Sequence, residues 1–367
     1  MNEITFYAGG YAKSGEGGIG LFLLDPATGS CTPTGECTLL ENPSYLLCHP
    51  RKNVLYAVEE LQPEGRVAAL RRNGTEWQKL CSFPTGGADP CHLSLSPEGK
   101  YLFVSNYTSG SLTVFGLDEN GIPTGISDFV QHTMTAEDRE GANPVRQESA
   151  HVHFALCDGS RVFVNDLGLD KVFVYGWDAA HGKLTGCTEQ IDFPKGSGPR
   201  HLAFSGDERY LYVFCELSVE VHAFARDGER WQRTQVISAV PEEFRHSADF
   251  AKFPHGETLV PYGETLATGA SIRIVDGNLI VSTRGHDSIA VFRIDRDGRL
   301  QDRQIFSAEG KTPRDFQVIG GFLIAANQNS GSLAVFRRNA HTGEYSFITH
   351  VPHGGNPSCI CLLPENR

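Results

Sequence analysis

Short apolar runs bounded by Gly, Asp, Asn and Ser clusters recur along the whole chain, a layout that favours many strands joined by tight turns over long helices. The runs fall into a repeat. Asn42-Pro-Ser-Tyr-Leu-Leu-Cys-His-Pro and Asp89-Pro-Cys-His-Leu-Ser-Leu-Ser-Pro each open a first strand, and later copies begin at Ser149-Ala-His-Val-His-Phe, Gly198-Pro-Arg-His-Leu-Ala-Phe, Gly269-Ala-Ser-Ile-Arg-Ile-Val, Thr312-Pro-Arg-Asp-Phe-Gln-Val and Asn356-Pro-Ser-Cys-Ile-Cys-Leu. With anchors at Pro43, Pro90, Ala150, Pro199, Ala270, Pro313 and Pro357, four of the six intervals match the ~40–50 residues of a propeller blade. The two long intervals mark insertions, at 131–149 and 238–269. A second strand follows each anchor, as in Tyr101-Leu-Phe-Val-Ser and Tyr210-Leu-Tyr-Val-Phe. A third usually follows that, as in Ser111-Leu-Thr-Val-Phe and Leu333-Ala-Val-Phe.

The last copy stops after Leu363, so its missing strands must come from the other end of the chain. Ile4-Thr-Phe-Tyr-Ala and Ile19-Gly-Leu-Phe-Leu-Leu are suited to supply them, which removes the sheet edges an open array would expose. The expected architecture is all-β: a seven-bladed β-propeller closed by pairing of N-terminal strands with the C-terminal strand, residues 1–367 forming a single domain. Gly15-Glu-Gly-Gly-Ile-Gly matches the dinucleotide fingerprint G-x-G-x-x-G, but a strand follows where the fingerprint needs a helix N-terminus to receive phosphate. Its glycines are read as a hairpin loop.

Charge narrows the partners. With 32 basic and 44 acidic residues the net charge is −12, and no long run of one sign provides a groove for nucleic acid. The N-terminal segment lacks the basic and long apolar regions of a secretory signal, and no apolar run reaches membrane-spanning length; neither membrane nor nucleic acid is expected as a partner, and the cytoplasm is the expected location. The ten cysteines lie mostly inside strand-like runs and are expected as buried, reduced thiols.

First strands of a propeller line its central channel, so their early residues and the ends of the second strands converge at one mouth. Early first-strand positions bring Cys91-His92, His151 and His153, Arg200-His201 and Arg314-Asp315. Second-strand ends bring Glu59-Glu60, Asn106, Asp166, Glu216, Arg284 and Asn327-Gln328. Glu216 and Arg284 interrupt apolar runs, where a buried charge needs a partner or a purpose. His151 and His153, two residues apart, are expected on one side of a strand. No compact His/Cys/Asp cluster suits a metal, and arginines in the same mouth would repel a cation, so no metal site is expected.

These segments, with Ser105-Asn-Tyr, Asp166-Leu-Gly-Leu-Asp-Lys-Val, Cys215-Glu-Leu, Arg284-Gly-His-Asp-Ser-Ile-Ala-Val-Phe and Ala326-Asn-Gln, resemble the seven-bladed propeller lactonase family, which includes propeller-type 6-phosphogluconolactonases and carboxymuconate cyclases. The resemblance runs from the first blade to the last. It implies a lactone reaction at the channel mouth with His153, Arg200, Glu216 and Arg284 as the catalytic set, His151 being the alternative histidine. His151, His201, His92, Asp166, Arg314, Asn327 and Gln328 are then the expected substrate-binding residues. Two departures bear on the substrate: Ala150 stands where the family has Pro, and Ser271-Ile-Arg replaces a His-containing first strand on the fifth blade.

Lactone opening needs a base for water, a donor for the developing oxyanion and a proton for the ring oxygen, none of which requires a cofactor. Glu216 or His153 is suited to act as base and Arg200 or Arg284 as electrostatic stabiliser. The absence of a G-x-S-x-G elbow weighs against a covalent acyl-enzyme. The first expectation, as the resemblance implies, is hydrolysis of a small-molecule sugar lactone, phosphorylated as in 6-phosphogluconolactone of the pentose phosphate route. Another lactonase or cyclase reaction, or a non-catalytic propeller platform, is the alternative.

Overall fold

The computed structural model describes residues 3–74, 76–245 and 267–364. Seven four-stranded antiparallel sheets surround one channel. Blades 1 to 6 begin at the inner strands Leu46–Cys48, Pro90–Leu95, Val152–Cys157, Pro199–Phe204, Thr268–Val275 and Pro313–Ile319 and proceed outward in chain order. Blade 7 takes its inner strand, Asn356–Leu362, from the C-terminal end and its outer three, Ile4–Tyr11, Ile19–Leu24 and Cys31–Cys37, from the N-terminal end. The expected closure is therefore present, with Tyr7 opposite Cys361 and Ala8 opposite Ile360.

Side-chain burial explains why the second strands read as continuous apolar runs. Seven apolar clusters each join adjacent blades, so a middle strand such as Leu102-Phe-Val is buried on both faces. Outermost strands pack on one side alone, and Lys183–Asp192 is mostly exposed. The ring closes through Ile360, packed with Phe6 and Ile324, and through Cys359 and Cys361, packed with Leu46 and Leu55.

The glycine-rich match at 15–20 spans the hairpin turn and the first two residues of strand Ile19–Leu24. The first insertion carries a one-turn helix, Ala136–Arg139, capped by the Thr135 hydroxyl on the Asp138 amide. The second begins with Glu242–Arg245, and most of its remainder lies outside the described residues. None of the ten cysteines, all described, is disulfide-bonded, and eight are buried. No described helix is long and apolar enough to cross a membrane.

One irregularity recurs and positions the site. Near the start of the inner strand the ladder slips, leaving Cys91 between Pro90 and His92 on blade 2, His153 on blade 3, Arg200 on blade 4 and Arg314 on blade 6 without an opposite residue. Ser358 on blade 7 stands in the same relation, and blade 5 carries a longer slip over Ala270 and Ser271. Such a bulge re-aims the unpaired side chain. The residue before the bulged pair is held at positive φ in Asn42 (46°), Asp89 (51°), Gly198 (63°) and Thr312 (62°), a conformation that Asn, Asp and Gly adopt most readily.

Candidate active site

A cavity of about 320 Å³ opens at the bulged end of the channel, lined by Tyr11, Glu60, Asp89, Cys91, Tyr107, Thr108, Arg146, His153, Glu216, Arg314 and Gln328. A narrow pocket continues beneath it between Ser44, Tyr45, Arg200, His201, Asp315 and Ser358. Two rings of equivalent positions build these walls. The bulged residues form one ring. The other follows each second strand, where the amides of Glu60, Tyr107, Glu216 and Gln328 donate to the carbonyls of Asn42, Asp89, Gly198 and Thr312. Loop-held side chains thus project from a rigid barrel of sheets.

Glu216 is the electrostatic centre of one wall. It is 1 % exposed. Its Oε2 is ion-paired with Arg200 Nε at 3.0 Å and with an Arg284 terminal nitrogen at 2.7 Å, while Oε1 accepts from Arg146. Burial pushes its carboxyl upward, but Arg284, Arg146 and Arg200 together outweigh burial and hold it well below the usual carboxylate range. The guanidiniums are themselves anchored, Arg200 to the Ala270 carbonyl at 2.7 Å and Arg284 to the Gly269 carbonyl at 2.8 Å. The long slip on blade 5 supplies both carbonyls. A carboxylate so stabilised as the anion is a poor proton acceptor; its geometry suits holding three cations in place.

His153 presents the contrasting case. Burial, with Arg200 and Arg314 nearby, holds its imidazole well below the ordinary histidine value, Glu216 offsetting part of this. It is therefore neutral at neutral pH, the state a general base requires, although the same burial lowers its basicity. Its ring packs edge-on against Tyr107 and His201, at 5.5 and 5.2 Å between centroids. Cys91 Sγ lies 3.8 Å from His153 Nδ1, but burial raises that thiol far above its ordinary range, so it stays protonated and unreactive.

The structure separates the two candidate histidines. The slip at His153 breaks the expected two-residue alternation, and His151 faces away from the cavity, stacked on Tyr107 with its ring bonded to Glu148 at 3.1 Å and to the Tyr107 carbonyl at 3.1 Å. The ladder places Val152, not Ala150, opposite Asp166 in the relation Pro90 has to Asn106. Blade 3 therefore carries its anchor two residues later than the repeat suggested.

Several expected binding residues are engaged elsewhere. Asp166 accepts from the His151 and Leu169 amides at 2.8 and 3.1 Å and pairs with His132 Nδ1 at 2.7 Å, tying the first insertion to blade 3. Asn327 donates to the Ala308 carbonyl at 2.9 Å, outside the cavity lining. His92 lies deeper, between Tyr45 and Phe154, its imidazole lowered to about 3 chiefly by burial. His201 lines the narrow lower pocket; Arg314 lines both parts, and Gln328 the upper one. Asp315, adjacent to Arg314, instead pairs with Arg273 at 2.8 Å and accepts the Ile360 amide at 2.8 Å.

Arg146, Tyr11 and Tyr107 line the cavity without having been predicted as site residues, and Glu60 had been placed at the mouth without a role. Arg146 comes from the first insertion, which has no counterpart in other blades. Tyr11, Tyr107 and Glu60 had a signal in the repeat, since Tyr107 and Glu60 follow a second strand as Glu216 does and Tyr11 ends one. Among the described residues, no group of three His, Cys, Asp or Glu side chains is gathered to hold a metal ion.

A family model described as a seven-bladed β-propeller lactonase matches residues 5–362. The chain belongs to the propeller lactonase family. It is 32 % identical, over the full length of both chains, to a 6-phosphogluconolactonase of Bacillus subtilis. A 6-phosphogluconolactonase of Formosa agariphila is 30 % identical, with 89 % of this chain and 90 % of that one covered. Among solved structures, a periplasmic gluconolactonase of Pseudomonas aeruginosa superposes with a TM-score of 0.85 at 29 % identity, covering 98 % of each chain. In this lactonase His153, Glu216 and Arg146 line one cavity, Arg200 lines the pocket beneath it, and Arg284, behind Glu216, is in the lining of neither.

Proposed function

We propose that this lactonase hydrolyses 6-phosphogluconolactone to 6-phosphogluconate by general acid–base catalysis without a metal ion, and that it does so in the cytoplasm. The observation that carries the reading is the charge of the mouth. Arg146, Arg200 and Arg284 converge on the carboxylate of Glu216, a local positive excess at that wall, while Glu60 and Asp89 put their carboxyls elsewhere in the lining. Arg314 adds a fourth guanidinium on the opposite side, over the Tyr11 ring at 5.5 Å. An acidic protein attracts an anionic substrate through such a local field. Neutral His153 takes a proton from water as its oxygen attacks the lactone carbonyl. The clamped guanidiniums stabilise the oxyanion, with Glu216 fixing their geometry.

Arg314 is the assigned phosphate grip, because its guanidinium lines both parts of the cavity, over the Tyr11 ring and across from the Glu216 cluster. One charge-assisted contact contributes about 1.5–3 kcal/mol. Arg314→Met should therefore raise KM for the phosphorylated lactone about 10- to 100-fold, while KM for unphosphorylated glucono-δ-lactone changes little. Added salt should weaken binding of the phosphorylated substrate more. Initial-rate kinetics on both lactones tests this; equal losses on the two would mean that Arg314 does not read phosphate.

A further inference from the structure

The cavity holds a second carboxylate for which the mechanism above has no task. Glu60 on blade 1 occupies the position Glu216 occupies on blade 4, each amide donating to the carbonyl before the inner-strand anchor. In a ring of seven, three blades is the largest separation, so the two carboxylates stand on opposite walls. Their surroundings also oppose. Glu216 meets three guanidiniums, whereas Glu60 accepts from the Tyr11 hydroxyl at 3.0 and 2.9 Å and from the Ser44 hydroxyl. Burial raises the Glu60 carboxyl; Arg314 and the two hydroxyls offset part of the rise, and Asp89 adds to it. Asp89 is itself engaged by Gln62 and Thr108, both at 2.5 Å.

Substrate chemistry decides what a carboxyl of raised proton affinity can do there. In a 6-phosphorylated 1,5-lactone the ring oxygen and the phosphate-bearing carbon are both attached to C5. A grip on phosphate by Arg314 therefore sets the ring oxygen near Arg314's own wall and directs the carbonyl toward His153. The arriving phosphate charge also favours the neutral form of a neighbouring carboxyl. We propose that Glu60 is the general acid of the reaction, giving its proton to the ring oxygen as the ring opens. This rests on the lactone reading above.

The step balances. Water oxygen bonds to the carbonyl carbon as His153 takes its proton. The carbon–ring oxygen bond then breaks as the leaving oxygen takes the proton of Glu60. Imidazolium and carboxylate afterwards return to their starting states by exchange with solvent, and one hydroxy acid is released.

Burial raises Glu60 and lowers His153, each in the direction its acid or base duty requires. A donor is active when protonated, so kcat should fall as pH rises through the Glu60 pKa, and Glu60→Gln should lack that alkaline limb. Glu60→Gln should lower kcat about 10²-fold on sugar lactones. On dihydrocoumarin, whose phenolate leaving group of pKa about 10 needs little protonation, the loss should stay below about tenfold. Tyr11→Phe removes a hydrogen bond to the carboxylate and should move the wild-type alkaline limb to higher pH. Equal losses of Glu60→Gln on both lactone types, or an unaltered alkaline limb in both variants, would overturn the assignment while leaving the lactonase reading intact. A wild-type protein with no activity on any sugar lactone would overturn both.

Discussion

His153→Ala should reduce kcat on 6-phosphogluconolactone by about 10²- to 10⁴-fold with a smaller change in KM, the scale of a general base lost from a positioned site. His153 is the cavity imidazole on the bulge of blade 3, and burial with Arg200 and Arg314 keeps it neutral. The sign of the pH dependence follows. A base works deprotonated, and since its folded value lies well below the ordinary ~6.5, activity should show no histidine limb between pH 6 and 8 and should fall on acidification below that window. His151→Ala provides the comparison: its ring faces Glu148 and Tyr107, and it should retain most of the turnover. Steady-state kinetics across pH on the two variants checks both. Near-wild-type kcat in folded His153→Ala would remove this residue from the mechanism.

Glu216→Gln should be damaging in two measurable ways. Neutralising the carboxylate leaves Arg146, Arg200 and Arg284 facing one another in a buried site, and breaking such a network by removing one partner costs about 3–5 kcal/mol. Urea denaturation should show the loss as a lower midpoint. Turnover should fall at least about 10²-fold even where the variant is fully folded, because the guanidiniums that stabilise the oxyanion lose their common anchor. The folded carboxyl is held well below its unfolded value, so its stabilising contribution is complete above that unfolded value, about 4.3. It is lost as pH falls from there through the folded pKa. Glu216→Gln should flatten that part of the acid-denaturation profile. A variant as stable and as active as wild type would mean the triple ion pair has no such role.

The fold was legible because each blade must present the same alternation of anchor, buried strand and turn. The truncated seventh copy near Pro357 signalled closure directly. The inner-strand contribution to the site was legible for a related reason: Cys91, His153, Arg200 and Arg314 follow the anchors, and the ladder slip there turns them into the channel. Phase was lost on blade 3, which follows the first insertion and lacks the anchor proline. Asp166 and Asn327 looked like ligands because a polar residue ending a buried strand needs a purpose. The purpose was internal, since they satisfy amides and carbonyls of their own and neighbouring segments. Arg146 left no trace in the repeat, because an insertion has no equivalent position to compare with. Glu216 as an anchor rather than a base depends on three partners from blade 4, blade 5 and the first insertion meeting at one point, which spacing along the chain does not encode.

Hydrolysis of freshly generated 6-phosphogluconolactone by the wild-type protein, with EDTA present and spontaneous opening subtracted, tests the central claim most directly. The account predicts turnover unaffected by the chelator, with kcat/KM at least about tenfold higher than for glucono-δ-lactone, the preference expected from one charge-assisted phosphate contact. No turnover above the spontaneous rate, or turnover abolished by EDTA and restored by a divalent ion, would contradict it.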